Sequence, residues 1–277
     1  MTPGLAALLA PQTVESFFAD AWPDRPFLVH GDPARLQGLA DAKEFASVQA
    51  MAKVPCRAVL AQGQHLDAQR FGNIAVAPEL APSLLRSGAT LYFNEPQFRS
   101  RSVGRWVRTI EKQLGLAPST IRPSVFFSSR GPGARMHFDA TESFVVQLRG
   151  RKEWRIAPNP QLPFPPVNYL EGAPLPDELV PLVRGRMKAP RKVRKVVLKP
   201  GSVLYLPRGW WHATRTLEDS VHLDLLTALP TWADVFRPVL EGIFARGTHW
   251  LTPATSPHGA EMLHKLGEEL NAELHRS

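Results

Sequence analysis

Short apolar runs separated by glycine, proline and polar residues dominate the chain between Ile121 and Pro230. Runs of this length, alternating or continuously apolar and bounded by turn residues, predict β-strands. The predicted strands are residues 124–129, 137–148, 152–156, 195–198, 202–206 and 220–226. Many short strands in succession are typical of a closed antiparallel architecture. We therefore predict a mainly β protein whose core, residues 121–230, is a double-stranded β-helix, or jelly roll.

Helical patterns flank this core on both sides. Residues 12–22 predict an amphipathic helix with Thr13 as its N-cap, and residues 43–50 and 103–115 also look helical. Two strands, residues 26–30 and 89–93, lie among them. We therefore predict an N-terminal lead-in, residues 1–120, packed on the jelly roll.

A helical region is also predicted after the core, in residues 231–277. Its last helix carries a stripe of leucines at helical spacing: Leu263, Leu266, Leu270 and Leu274. Such a stripe is a packing face, and it could serve a homodimer.

Composition narrows the setting of this protein. A length of 277 residues suits one large domain or a domain with an appendage. The single cysteine, Cys56, excludes an intramolecular disulfide. No apolar run reaches the length of a membrane span, and residues 1–10 carry no basic residue typical of a signal peptide. These features predict a cytoplasmic protein without a membrane partner.

The net charge of +8 is concentrated in one basic segment, residues 184–199. A basic protein is attracted to nucleic acid and to acidic partners. Two interpretations stay open: a solvated loop with a charged edge strand, or a docking patch for RNA or an acidic protein surface. No zinc finger or RNA-binding aromatic signature is present, so sequence-specific nucleic-acid recognition is not expected.

His137 and Asp139 are candidate metal ligands. On a strand, residues two apart face the same side, so this imidazole and this carboxylate can converge. His212, which follows the segment Gly-Ser-Val-Leu-Tyr-Leu-Pro-Arg-Gly-Trp-Trp, would complete the set from another strand. Two histidines and one carboxylate favour non-haem Fe(II) and leave coordination positions open. Structural zinc sites normally have four protein ligands, often cysteines, so we predict a reactive iron site.

A second His-x-Asp step, His222 and Asp224, is an alternative ligand pair. Val221, Leu223 and Leu225 alternate with it and form the more apolar face of the predicted strand. We therefore expect His222 and Asp224 to point away from the metal.

Lys152 lies on the same predicted strand face as Trp154 and Ile156. A lysine on an apolar face is costly without an anionic partner. The far carboxylate of a dicarboxylate cosubstrate would be such a partner, and this predicts 2-oxoglutarate. The alternative is that Lys152 extends along the barrel rim to solvent.

The segments from His137 to Trp154 and from Gly201 to His212 resemble the core of the JmjC/cupin-type Fe(II)- and 2-oxoglutarate-dependent oxygenases. The resemblance covers roughly residues 10–230 and is greatest to the ribosomal oxygenase group of protein hydroxylases. It implies iron at His137, Asp139 and His212, with 2-oxoglutarate bound by Lys152, which stands at the position where the family has a basic residue. By position it also suggests Thr227 and Ser143 near the cosubstrate.

The resemblance implies a 2-oxoglutarate-dependent dioxygenase using Fe(II), 2-oxoglutarate and O₂. Such an enzyme hydroxylates a C–H bond in an amino-acid side group of a protein or peptide, possibly a ribosomal protein, with succinate and CO₂ as co-products. Only about 45 residues follow Pro230, too few for the winged-helix domain of the ribosomal group, which leaves the substrate open. The alternatives are a small-molecule hydroxylase, an N-demethylase and a non-catalytic metal-binding module.

Overall fold

A computed structural model of the protein describes residues 4–62, 73–96, 101–246, 250 and 259–274. Its helices are α1 (Leu5–Leu9), α2 (Val14–Asp20), α3 (Gln37–Ala40), α4 (Val48–Met51), α5 (Ala81–Arg86), α6 (Arg101–Gln113), α7 (Trp232–Phe244) and α8 (Gly259–Leu274). By contacts, the polypeptide divides into two units, Met1–Ala228 and Leu229–Ser277.

Fourteen strands are present within the described residues. They are β1 (Phe27–His30), β2 (Ala58–Gln62), β3 (Asn73–Ala75), β4 (Thr90–Asn94), β5 (Ile121–Ser128), β6 (Gly131–Pro132), β7 (His137–Phe138), β8 (Glu142–Arg149), β9 (Lys152–Ala157), β10 (Tyr169–Leu170), β11 (Arg194–Leu198), β12 (Ser202–Leu206), β13 (Trp211–Thr216) and β14 (Ser220–Thr227). They form an eight-stranded sheet in the order β1-β12-β8-β14-β5-β4-β2-β3 and a six-stranded sheet in the order β10-β7-β13-β9-β11, with β6 beside β13. The predicted mainly β jelly roll is confirmed.

The larger sheet is covered on one face by the N-terminal helices. Phe17 of α2 packs against Phe144 of β8 and Tyr205 of β12, with ring centroids 5.6 and 5.2 Å apart. Thr13 caps α2 as predicted, since its hydroxyl accepts a hydrogen bond from the Ser16 amide at 3.0 Å. Burial of this face ties the lead-in to the sheet within the first unit.

The opposite face of the larger sheet meets the smaller sheet. An apolar cluster fills one part of the interior between them: Val145, Trp154, Ile156, Val196, Leu198, Leu204 and Leu206. The larger sheet is therefore buried on both faces, and the five residues of β12 are all buried.

Three local predictions need adjustment. The single strand predicted over 137–148 is two strands, β7 and β8, with Asp139 in the interruption between them. Strands β2 and β3 were not predicted, although they extend the larger sheet next to β4. The predicted boundary at residue 120 has no counterpart in the division by contacts, and it stays a prediction.

In the second unit, α7 begins with a capping box. The Thr231 hydroxyl accepts from the Asp234 amide at 3.2 Å, and the Asp234 carboxylate accepts from the Thr231 amide at 2.8 Å. In α8, Leu263 is exposed, Leu266 and Leu270 are half-buried, and the side group of position 274 lies outside the described residues. The homodimer stays a prediction. Among the described residues, no helix has both the length and the apolar character needed to cross a membrane.

Candidate active site

His137, Asp139 and His212 lie together in the interior between the two sheets. One ligand atom from each lies within 4.8 Å of the others. Strand pairing explains this proximity, because His212 of β13 stands directly opposite His137 of β7. Asp139 Oδ2 lies 3.9 Å from His137 Nε2 and 3.5 Å from His212 Nε2. The structure thus brings the three predicted ligands to one point.

Backbone carbonyls orient both imidazole rings. His137 Nδ1 lies 2.7 Å from the Arg135 carbonyl oxygen, and His212 Nδ1 lies 3.0 Å from that of Trp210. A carbonyl oxygen only accepts, so each Nδ1 carries the proton and each Nε2 faces Asp139. Burial, reinforced by the neighbouring His137, lowers the pKa of His212 to about 4, which leaves its Nε2 lone pair available at neutral pH.

These donors fit a divalent iron ion. Two neutral imidazole nitrogens and one carboxylate are the donor set of non-haem Fe(II) sites, and a histidine ligand characteristically donates its other N–H to a backbone carbonyl. Backbone contacts also hold the carboxylate donor, since the Asp139 carbonyl accepts from the Gly209 amide at 2.8 Å. The side chain of Asp139 keeps 28% of its surface exposed, so the cluster has a solvent-facing side.

Arg208 and Glu142 fasten the turn that leads into β13. Arg208 Nε and Nη2 both donate to the Glu142 carboxylate, the latter at 3.1 Å. The side chains keep only 10% and 3% of their surface exposed. This bidentate contact ties the segment before His212 to the beginning of β8.

Lys152 is buried within the same interior and does not reach solvent; its relative exposure is 3%. Its ammonium donates to Ser128 Oγ at 3.1 Å and lies 5.9 Å from the centre of the Phe126 ring. Burial lowers the pKa of Lys152 to about 8, with Asp224 opposing the shift. The alternative of a lysine extended to the rim is therefore wrong.

A cavity of about 240 Å³ joins the three candidate ligands to Lys152. This is slightly below the size of sites for drug-sized molecules, so a small ligand suits it. The other described residues at its wall are Thr90, Tyr92, Ser124, Phe126, Ala134, Thr141, Trp154, Asn168, Thr214, His222, Asp224 and Leu226.

The expectation for His222 and Asp224 was wrong, because both line this cavity. Val221, Leu223 and Leu225 belong instead to the core cluster beneath the N-terminal helices. The more apolar face of β14 is thus the outward one, since the lead-in covers it. The predicted periodicity of the strand is correct, but the predicted choice of inner face is not.

Ser143 and Thr227 are buried but do not line the cavity. Thr227 follows the alternation of Leu223 and Leu225, which pack outward. Sequence reasoning missed Thr90 and Ser128, which are paired across β4 and β5 and joined by a hydroxyl hydrogen bond of 3.2 Å. No local sequence signal marks these two, because only strand register brings them to Lys152.

A jelly roll with two histidines and an aspartate gathered in its interior has the fold and donor set of cupin-type non-haem iron oxygenases. A family model described as a JmjC domain matches residues 97–235, half of the chain. The protein belongs to the JmjC domain family. This membership confirms the predicted class, 2-oxoglutarate-dependent dioxygenases, and the Fe(II), 2-oxoglutarate and O₂ that the class uses.

Similar proteins include Uncharacterized protein YxbC of Bacillus subtilis, which is 26% identical over 246 residues covering 85% of this chain and 74% of that protein. Ribosomal oxygenase 1 of Homo sapiens is 30% identical over 247 residues, covering 84% of this chain and 36% of that protein. The matched region thus spans about a third of the length of this ribosomal oxygenase.

Among solved structures, the ribosomal oxygenase YcfD of Escherichia coli in complex with cobalt and 2-oxoglutarate matches with a TM-score of 0.56. The sequences are 18% identical, and the match covers 93% of this chain and 65% of that one. A likeness at this identity supports the fold.

Proposed function

We propose that this protein binds Fe(II) through His137, Asp139 and His212, binds 2-oxoglutarate through Lys152, and hydroxylates a C–H bond in an amino-acid side group of a protein or peptide. The observation that carries the proposal is the buried ammonium of Lys152, which faces the same small cavity as the three metal-ligand candidates. A buried cation of this kind needs an anionic partner, and a dicarboxylate held at the metal would supply one.

When bound, iron and 2-oxoglutarate supply the oxidising power that inserts one atom of O₂ into a C–H bond, while the other atom leaves in succinate and one carbon leaves as CO₂. The protein's own residues hold and orient these groups. The Thr90 hydroxyl donates to Ser128, and Ser128 accepts from Lys152, which fixes the direction of the ammonium. Trp154 lies beside the His212 ring at 5.7 Å between centroids and shields the site from water.

A protein substrate is supported by the relatives that are named ribosomal oxygenases and by the partly exposed side of Asp139. A ribosomal protein as substrate and a cytoplasmic location are part of this proposal. A small-molecule hydroxylase and an N-demethylase remain the alternatives, because both use the same cavity and oxidant.

Anaerobic titration of 2-oxoglutarate into the Fe(II)-loaded protein tests cosubstrate binding. A visible charge-transfer band should saturate in the wild type, be absent in His137→Ala and require more 2-oxoglutarate in Lys152→Met. Lys195→Met, at an exposed position of β11, is the matched control and should behave as the wild type. Iron binding without any band in the wild type would refute 2-oxoglutarate as the cosubstrate.

Substrate class is tested separately by mass spectrometry. The protein, with Fe(II), 2-oxoglutarate and O₂, is incubated with ribosomal proteins stripped of RNA, and peptides that gain one oxygen atom are sought. His137→Ala is the control. Turnover of 2-oxoglutarate stimulated only by small molecules, with no oxygen gained by any peptide, would favour the small-molecule alternative.

A further inference from the structure

Strand β14 places an aspartic acid and a histidine in the cavity that the metal ligands do not account for. His222 stacks on Phe126 with ring centroids 4.5 Å apart, and its Nε2 lies 3.6 Å from Asp224 Oδ1. Both residues are buried, with 2% and 7% of their surface exposed. Within the described residues, Asp224 Oδ1 has no hydrogen-bond partner. A buried carboxyl group thus faces a cavity with unused hydrogen-bonding capacity.

Asp224 and Lys152 face the same space without touching. Both line the cavity, yet no ion pair within 4 Å joins them among the described residues, and the ammonium is instead hydrogen-bonded to Ser128. The two groups nevertheless interact electrostatically, since each shifts the pKa of the other. A carboxylate that entered to meet Lys152 would therefore lie in the field of Asp224 as well.

The charges at this end of the cavity do not accommodate two ionised carboxylates. Lys152 offers one positive charge, so an ionised Asp224 and a ligand carboxylate would share one counter-ion in a buried space. Two carboxylates in one site favour protonation of one of them. Burial raises the pKa of Asp224 to about 8, with Lys152 lowering it and the more distant Asp139 raising it further.

The other titratable groups at the cavity wall do not supply the missing charge. Burial raises the pKa of Tyr92 from β4 to about 12, and burial lowers that of His222 well below its usual value, so both are neutral near pH 7. His137, Asp139 and His212 stand at the metal end. Among the residues that line the cavity, β5 contributes Ser124 and Phe126 and β8 contributes none.

We propose that Asp224 binds the far carboxylate of 2-oxoglutarate in its protonated form, donating a hydrogen bond to it beside the ammonium of Lys152. This inference rests on the proposed function. It makes cosubstrate binding depend on two protons, one on each of these side chains. When pH rises above the range in which both groups are protonated, each required proton costs up to about tenfold in affinity per pH unit.

Isothermal titration calorimetry on the Mn(II)-loaded protein tests the proposal without turnover. Binding of 2-oxoglutarate is measured between pH 7 and pH 9.5, in pairs of buffers with different ionisation enthalpies, which yields the number of protons taken up. Asp224→Asn keeps a hydrogen-bond donor but cannot ionise. We expect the wild type to take up more protons above pH 8 than this variant, and its affinity to fall up to about tenfold more steeply per pH unit.

Two controls isolate the carboxyl group. Asp177→Asn removes an exposed acid and should leave proton uptake at the wild-type value. The wild type titrated with 2-oxobutyrate, which keeps the keto-acid end but lacks the far carboxylate, should show no extra proton uptake. This second control does not depend on the folding of any variant.

The outcomes separate the two proposals. Equal proton uptake by the wild type and Asp224→Asn, or tighter binding by this variant at pH 7, would mean that Asp224 binds as an ionised group and would overturn the inference alone. Failure of the wild type to bind 2-oxoglutarate at any pH, with Mn(II) bound, would overturn the proposed function together with it.

Discussion

Lys152→Met is expected to stabilise the metal-free protein while it weakens the binding of the cosubstrate. Each pKa unit corresponds to about 1.4 kcal/mol. The fall in the pKa of Lys152 from 10.5 to about 8 therefore means that holding a buried ammonium costs the folded state roughly 3 kcal/mol near pH 7. Methionine has a similar length, carries no charge and packs well in irregular apolar space.

The gain has a definite pH dependence. The folded state binds fewer protons than the unfolded state between pH 8 and 10.5, so the cost of Lys152 is fully present below about pH 8 and disappears as pH rises through 10.5. Lys152→Met should therefore exceed the wild type in unfolding free energy by up to about 3 kcal/mol at pH 7. Its loss of the hydrogen bond to Ser128 reduces this by about 1 kcal/mol.

The same substitution should weaken 2-oxoglutarate binding strongly. Removing one partner of a buried, hydrogen-bonded charge pair costs about 2–5 kcal/mol, which is an increase in Kd of about 30-fold or more. Urea denaturation at pH 7 and pH 10 and calorimetry with 2-oxoglutarate measure the two effects. A variant less stable than the wild type at pH 7, with unchanged affinity for 2-oxoglutarate, would refute both the burial cost and the assigned role of Lys152.

Further predictions concern the site and its support. The metal-free protein should lose roughly 3 kcal/mol between pH 6.5 and pH 4 in urea denaturation with chelator, because the unfolded state protonates His212 while burial holds its folded pKa at about 4; a His212→Gln variant that loses as much would contradict this. Glu142→Ala, which removes the carboxylate facing a buried arginine, should destabilise by about 3–5 kcal/mol, and a change under about 1 kcal/mol would show that solvent reaches the pair. Gly150→Ala should destabilise by more than the roughly 1–2 kcal/mol of left-handed strain, because φ is +66° and a Cβ would lie 2.0 Å from the Asp219 carbonyl oxygen. Gly172→Ala, with φ of +84° and open space, should show the strain alone, and equal thermal shifts for these two variants would refute the clash.

Much of the site is predictable because its determinants are local. His137 and Asp139 stand two residues apart, and the segment before His212 identifies the third ligand by resemblance. Lys152 is recognisable from the alternation along β9 after the tight turn at Gly150, which fixes which side chains share a face. These inferences need only backbone periodicity and short spacings.

The inner face of β14 is not predictable in this way. An apolar–polar alternation identifies the core face only when the other face meets solvent. Here the N-terminal helices cover the outer face with Val221, Leu223 and Leu225, and the inner face lines a polar cavity. The more apolar side of the strand is therefore the outer one, which is why the sequence pattern placed Asp224 on the wrong side.

The sequence by itself thus determined a β-rich jelly roll with helical flanks, a candidate iron triad and a lysine for a dicarboxylate. Only the tertiary structure decided that Ser128 and Thr90 hold this lysine and that Asp224 shares its cavity. The physical reason is that strand periodicity is encoded residue by residue, whereas the register between distant strands and the covering of each sheet face arise from packing across the whole unit.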